Sequence, residues 1–170
     1  FIEFECKYVM RNIVLLFIIL SFIACKKESF IDNFNNIEHY RLVNESLELS
    51  DKKLDKDVIL QDFPNKINDS VFFNYINSSN WIKNTIGNEQ IEKFKNIFNG
   101  TDLKTKYETA CIPIYRDIYI LKQNSKVTGI FKVCYGCQMY YFIGQSKDNK
   151  KVVKIGSFNP TIIQNILEAK

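Results

Sequence analysis

The chain is poor in the residues and motifs on which most enzymes depend. It has one histidine, His39, in 170 residues. It also lacks Gly-x-Ser-x-Gly, a glycine-rich phosphate loop and His-Glu-x-x-His. A single histidine and these absences argue against triad, nucleotide-binding and zinc-protease chemistry. Glycine and proline are also scarce, with six and three copies, which fits a compact α+β domain and excludes a disordered chain.

The net charge of +4 is small and is not concentrated anywhere along the sequence. Acidic and basic residues alternate, as in the segments 51–57 and 147–148. Proteins that bind nucleic acid usually carry a basic stripe that follows the phosphates. The sequence therefore predicts no nucleic-acid partner.

An apolar run near the start, Ile13–Ala24, is interrupted only by Ser21. Met10 and Arg11 provide a cationic start, and the run ends at Cys25. It has the length of a signal-peptide core and is well short of the ~20 residues that span a bilayer. The ending Phe-Ile-Ala-Cys resembles the lipobox of bacterial lipoproteins, with Phe22 in place of the usual leucine. The resemblance implies cleavage before Cys25, diacylglycerol on its thiol and acylation of its new amine.

Three other interpretations of this run remain open: a simple secretory signal, a buried core helix, and a signal anchor that is never cut. A core helix is usually amphipathic, whereas this run is apolar on nearly all sides and is followed by Lys26-Lys27-Glu28. We therefore predict a lipoprotein signal peptide at 10–24, the lipidated Cys25 with a polar tether at 25–36, and one globular domain at 37–170. Residues 1–9 precede a good start at Met10, and we interpret them as upstream mis-translation, which would exclude Cys6 from the protein; a fragment of a longer chain is the alternative.

The pattern of the globular part predicts an α+β fold, an antiparallel sheet with two helices packed on one face. Gly87–Gly100 has an apolar face at helical spacing, and Asn159-Pro160 begins a second such pattern. Ser70–Asn80 is compatible with either a strand or a helix. The predicted strands are Ile37–Val43, Asp57–Phe63, Cys111–Lys122, Val127–Tyr135, Met139–Gly144 and Lys151–Ile155.

The turn Gln123-Asn124-Ser125-Lys126 predicts a hairpin between the third and fourth of these strands. With Asn124 and Ser125 central, Ile120 faces Gly129 and Asp117 faces Lys132. Directly opposed residues share a face. One side is then apolar apart from Arg116, and it consists of Ile112, Ile114, Ile118, Ile120, Phe131 and Val133.

Three cysteines of the globular part, Cys111, Cys134 and Cys137, lie at the end of this hairpin away from its turn. In an exported protein the oxidising compartment favours one disulfide and one remaining thiol. Three pairings are possible. A small slip or a bulge near Gly136 decides whether Cys111 and Cys137 can pair.

Two chemical roles compete with a structural disulfide. Cys134 and Cys137 have the spacing of a redox Cys-x-x-Cys, although the residues after them are strand-like, where thioredoxin-like proteins have a helix. The three thiolates with His39 as a fourth ligand are a possible metal site. We predict neither a metal nor another cofactor.

The segments Cys-Ile-Pro-Ile-Tyr-Arg-Asp and Val-Cys-Tyr-Gly-Cys resemble a group of uncharacterised Bacteroidetes lipoproteins with a Cys–Pro–Arg strand and an Ile/Val-Cys-x-x-Cys strand. Asp117 stands where that group often has a histidine. The resemblance implies the fold and the envelope location, and no known activity. Five residues match the pattern of that group: Cys111, Pro113, Arg116, Cys134 and Cys137. Asp117 and Gly136 are two further candidate structural positions.

We therefore expect a membrane-anchored lipoprotein whose domain binds a protein partner in the envelope or has a structural role. An immunity-type lipoprotein that blocks a toxin and a small envelope scaffold fit the sequence equally. The alternative is a thiol redox or metal-binding protein that uses the Cys-x-x-Cys with Cys111.

Overall fold

The structure is a computed structural model that describes residues 33–43, 51–99, 103–104, 110–146, 149–161 and 163. The predicted upstream segment, the signal peptide, Cys25 and most of the tether lie outside these residues. Phe34 is buried in the core, and the first strand begins at Asn36. The folded part therefore includes the last residues of the predicted tether.

The described chain forms a seven-stranded antiparallel sheet with three helices, which confirms the α+β fold class. The strand order is β2-β1-β4-β5-β6-β7-β3. The elements in chain order are β1 (Asn36–Leu42), α1 (Lys53–Leu60), α2 (Ser70–Ile76), β2 (Trp81–Thr85), α3 (Asn88–Asn99), β3 (Leu103–Lys104), β4 (Asp117–Gln123), β5 (Lys126–Cys134), β6 (Met139–Gln145) and β7 (Lys151–Phe158).

Helix α3 packs on one face of the sheet, as its apolar pattern predicts. The ring of Phe94 lies 4.9 Å from Tyr119, and Phe98 lies 5.3 Å from Phe131. Asn159 caps the following turn by accepting a hydrogen bond from the amide of Thr161. Ile163, which comes after this turn, is buried in the same cluster. Both predicted helical segments thus contribute to this face.

Helices α1 and α2 cover the opposite face, on which the sequence pattern predicts no layer of helices. Four side chains from these helices are fully buried against Ile118, Ile120 and Ile130 of the sheet, and they are Val58, Ile59, Phe72 and Ile76. Burial of an aliphatic or aromatic side chain contributes about 1.5–3 kcal/mol. Both faces of the sheet therefore carry a core, and the central strands β4, β5 and β6 are buried on both sides.

The second predicted strand, Asp57–Phe63, is wrong, because its first residues belong to helix α1. The run Val58-Ile59-Leu60 has strand-like composition. Its buried positions, with Asp55 one turn earlier, follow helical spacing instead. The ambiguous segment from Ser70 is helical, with Asp69 accepting a hydrogen bond at 3.0 Å from the amide of Phe72. Strand β2 was not predicted.

The predicted hairpin exists, but its register is wrong by one residue. Ile120 pairs with Ile130, and Leu121 pairs with Gly129, because a bulge follows Leu121 and places Thr128 between two pairs. Since a shift of one residue moves side chains to the other face, Tyr119, Leu121, Phe131 and Val133 share the α3 face. Residues 111–116 are irregular in structure and do not extend the strand.

Candidate functional site

A disulfide joins Cys111 to Cys137 at the end of the sheet away from the β4–β5 turn. The two Cα atoms are 5.8 Å apart. Cys111 lies in the irregular segment before β4, and Cys137 lies in the turn 135–138 between β5 and β6. The bond therefore fastens the irregular segment 111–116 to the neighbouring turn. The expectation that the three cysteines lie close together is confirmed.

Cys134 is the remaining thiol and is buried beside this disulfide. Its sulfur accepts hydrogen bonds from the amides of Ile114 at 3.3 Å and Cys137 at 3.4 Å. These contacts hold the irregular segment and the turn against the end of β5. A metal site with three thiolates would require the Cys111–Cys137 bond to be reduced. Among the described residues, no group of three His, Cys, Asp or Glu side chains is arranged to hold a metal ion.

The other residues singled out from the sequence lie around the same end of the sheet. Pro113 is half-buried in the irregular segment, and the carbonyl of Arg116 accepts a hydrogen bond at 2.8 Å from the amide of Leu42. Gly136 is exposed in the turn, and a Cβ there would meet no atom within 4 Å. The space around Gly136 therefore does not require a glycine.

Asp117 is buried and lies opposite Val133 in the hairpin, not opposite Lys132 as predicted, and its side chain pairs with His39 from β1. His39 Nε2 lies 2.7 Å from Asp117 Oδ1, and both residues are below a tenth exposed. The imidazole stacks on the ring of Tyr119 with centroids 4.6 Å apart. Strands β1 and β4 are neighbours in the sheet, which brings these residues together although they are distant in sequence.

A pair of tyrosines extends this polar cluster beneath α3. The hydroxyls of Tyr119 and Tyr135 lie 3.0 Å apart. Burial raises the pKa of Tyr119 well above its usual value, and burial also raises the pKa of Tyr135. Both phenols therefore keep their protons at neutral pH, and either one can donate to the other. The arrangement satisfies polar groups within the core.

Lys132 lies on the other face and is completely buried. Its Nζ donates hydrogen bonds to the carbonyls of Gln61 at 2.7 Å and Phe63 at 2.9 Å. The ammonium also lies 4.4 Å from the centroid of the Tyr115 ring, a cation–π contact. Lys132 thus fastens the loop between α1 and α2 to the centre of the sheet.

Burial lowers the pKa of Lys132 to about 7, while the negative charges of Asp62 and Asp57 act in the opposite direction. A lysine that loses its proton near neutral pH is a possible nucleophile in other proteins. Here the amine is covered by the loop and directed at two carbonyls. Its position supports a structural role, and only the pattern of one charged residue within an apolar strand hinted at it in the sequence.

Comparison of the chain with models of protein families gives no match, and comparisons with curated proteins and with solved structures give none either. Within the described ranges, no helix has both the length and the apolar character needed to cross a membrane. The resemblance to Bacteroidetes lipoproteins therefore stays a prediction from the sequence.

Proposed function

We propose that the protein is a membrane-anchored bacterial lipoprotein whose α+β domain acts by binding or as a structural module of the cell envelope. The observation that carries this proposal is the Cys111–Cys137 disulfide in a chain with a lipobox-like Cys25. Disulfides persist in exported proteins and are rare in reducing compartments. The bond and the apolar run ahead of Cys25 thus point to the same compartment.

The distance from Cys25 to the folded part supports an anchored domain. The sheet begins at Asn36, and Phe34 is already buried in the core. A fully extended chain from Cys25 to Phe34 reaches roughly 30 Å. Such a tether would keep the domain close to the lipid headgroups, where it would meet partners of the membrane surface.

The arrangement of the sulfurs supports a structural role for the disulfide. A redox Cys-x-x-Cys forms a disulfide between its own two cysteines. Here Cys137 pairs with Cys111 outside the motif, and Cys134 is buried beneath the turn. The lack of a recognised catalytic signature in the sequence agrees with a binding or structural domain.

One observation favours thiol exchange as a second candidate function. The sulfur of Cys134 lies 3.4 Å from the amide nitrogen of Cys137, next to the disulfide. In such an exchange the Cys134 thiolate would attack Cys137 Sγ, form a new S–S bond and release Cys111 as a thiolate, with no net oxidation. Alkylation of thiols after incubation in glutathione buffers tests this. If exchange occurs, a Cys134–Cys137 disulfide should be detected. If the bond is structural, Cys134 should remain the one thiol that is alkylated.

Replacement of the lipidated cysteine tests the main proposal. We expect the wild-type protein, expressed in a bacterium that processes lipoproteins, to enter the detergent phase of a Triton X-114 extract. The variant Cys25→Ser should remain in the aqueous phase or stay unprocessed at the higher mass of the precursor. The control Cys134→Ala should enter the detergent phase like the wild type, because it removes a cysteine and leaves Cys25 in place. A wild-type protein that enters the aqueous phase would contradict the lipid anchor.

A further inference from the structure

The described chain begins at one end of the sheet, which we call the entry end and define by Asn35, the turn Asn124-Ser125, and the residues Ser146, Asn149 and Lys150 between β6 and β7. Asn35 is fastened to the first turn by two side-chain contacts. Its Nδ2 donates to Asn124 Oδ1 at 3.0 Å, and its Oδ1 accepts from the amide of Asn124 at 3.1 Å. Any tether that precedes Asn35 therefore leaves the domain at this end.

Strands β5 and β7 also begin at the entry end, and each begins with an exposed lysine. Lys126 starts β5, and Lys151 starts β7 directly after the exposed Lys150. Within the described part of the chain, no carboxylate forms an ion pair with Lys126, Lys150 or Lys151. These three ammonium groups give the entry end a positive charge.

Glu38, the acidic residue of β1, does not cancel this positive charge. Glu38 forms ion pairs with Lys83 at 2.8 Å and Lys122 at 2.7 Å. Two lysines thus share one carboxylate, which leaves a further positive charge beside the turn. Burial acts to raise the pKa of Glu38, but the hydrogen bonds and positive charges of Lys122 and Lys83 together lower this pKa below its usual value, so the carboxyl group stays ionised at neutral pH.

Polar side chains that can hydrogen-bond phosphate oxygens line two grooves at the entry end. One groove is lined by Lys122 together with its ion-pair partner Glu38, and the other is lined by Lys126. Amide and hydroxyl groups line both grooves, and those on the two turns are Asn124, Ser125, Ser146 and Asn149. By contrast, the segment 51–76 that covers the second face has no excess of lysines, because its four lysines are outnumbered by five acidic residues, namely Asp51, Asp55, Asp57, Asp62 and Asp69.

We propose that the entry end is a docking surface for anionic phospholipid headgroups, which orients the domain on the membrane. The inference rests on the lipid anchor proposed above, because the tether from Cys25 brings this end of the sheet to the bilayer. Each lysine close to an anionic membrane surface favours docking by about fivefold in the docking equilibrium. Two constraints, the tether and the charge, thus select the same orientation.

Amide hydrogen exchange of the lipidated full-length protein in vesicles tests this orientation. Vesicles of phosphatidylcholine would be compared with vesicles that also contain phosphatidylglycerol. We expect exchange in 122–126 and 149–151 to be slower by several-fold on the anionic vesicles. The difference should disappear in about 1 M salt, where the Debye length falls to about 3 Å.

A charge-matched pair of variants separates local from overall charge. Lys126→Gln/Lys150→Gln/Lys151→Gln should abolish the protection. Lys53→Gln/Lys56→Gln/Lys66→Gln, which removes the same charge from the segment over the second face, should retain it. Equal exchange on both kinds of vesicle, or equal effects of the two triple variants, would overturn the docking surface.

Flotation of the same samples distinguishes this inference from the lipid anchor. Protein that floats with phosphatidylcholine vesicles is anchored, so the exchange result then judges the docking surface alone. If the protein floats only with the anionic vesicles, and the Lys126→Gln/Lys150→Gln/Lys151→Gln variant does not float, the result supports the docking surface and contradicts the lipid anchor. Protein that floats with neither contradicts both.

Discussion

His39 Nε2 lies 2.7 Å from Asp117 Oδ1 in the buried layer between the sheet and α3. His39 lies on β1 and Asp117 on the neighbouring strand β4. The imidazole of His39 is stacked on the ring of Tyr119, which holds it in place beside Asp117. The single histidine of the chain thus serves as the partner of a buried carboxyl group. A buried carboxylate that loses its partner is strongly destabilising.

We expect His39→Phe to lower the free energy of unfolding by about 3 kcal/mol, because it keeps a ring on Tyr119 but leaves Asp117 without its partner. Urea denaturation monitored by circular dichroism would measure the loss. The double variant His39→Phe/Asp117→Asn should recover part of it, since a buried amide costs less than a buried carboxylate. No recovery in the double variant would contradict the pairing.

The lowered pKa of Lys132 predicts that the free energy of unfolding depends on pH. Between pH 7.5 and 9.5 the unfolded lysine carries a proton, whereas in the folded protein its pKa of about 7 leaves it mostly neutral. Unfolding then takes up a proton, so the free energy of unfolding rises with pH by up to about 1.4 kcal/mol per unit. This gain fades as the pH falls through the folded-state pKa and is absent below about pH 6, where both states are protonated.

Lys132→Met should remove this slope, and the exposed Lys126→Gln should preserve it. Urea denaturation across pH 7.5–9.5 would measure the slope in all three proteins. A slope in Lys132→Met equal to that of the wild type would show that other groups cause it.

The Cys111–Cys137 disulfide should contribute about 3.5 kcal/mol to stability, given the sequence separation of 26 between its cysteines. We expect Cys111→Ala/Cys137→Ala to lose about this amount in denaturation experiments. Cys134→Ala should lose less, because it removes a buried thiol and no covalent link. A double variant as stable as the wild type would instead favour a bond used for exchange.

The ring of Phe142 lies over the cross-strand pair Gly129–Gly144. A Cβ on Gly144 would overlap this ring, which is held by Phe98 at 5.8 Å. We expect Gly144→Ala to cost about 1–3 kcal/mol through overpacking. Gly136→Ala is the matched control and should change stability by less than about 0.5 kcal/mol, because its Cβ would be free of contacts. Equal thermal midpoints of the two variants would contradict this packing.

The sequence was sufficient for the features that depend on local signals. The apolar periodicity of α3, the turn at Asn124-Ser125 and the cap at Asn159 all predicted elements that the structure contains. Both turn residues have positive φ, with values of 48° and 68°, as tight hairpins require. The proximity of the cysteines followed from the same hairpin.

The features that the sequence did not predict depend on contacts between distant segments. The bulge at Thr128 reverses the faces of β5, and no local signal distinguishes it from a regular hairpin. Helix α1 resembles a strand in composition because the sheet buries Val58 and Ile59. The pairings of His39 with Asp117 and of Lys132 with the loop carbonyls required the strand order, which local patterns do not specify.

Intact mass spectrometry of the protein purified from its host membranes tests the lipid anchor most directly. The account predicts a chain that begins at Cys25, carries three acyl chains and, when unfolded without a reductant, has one thiol that can be alkylated. Cys134 would be that thiol. A mass without acyl chains would contradict the anchor, and three alkylated thiols would contradict the disulfide.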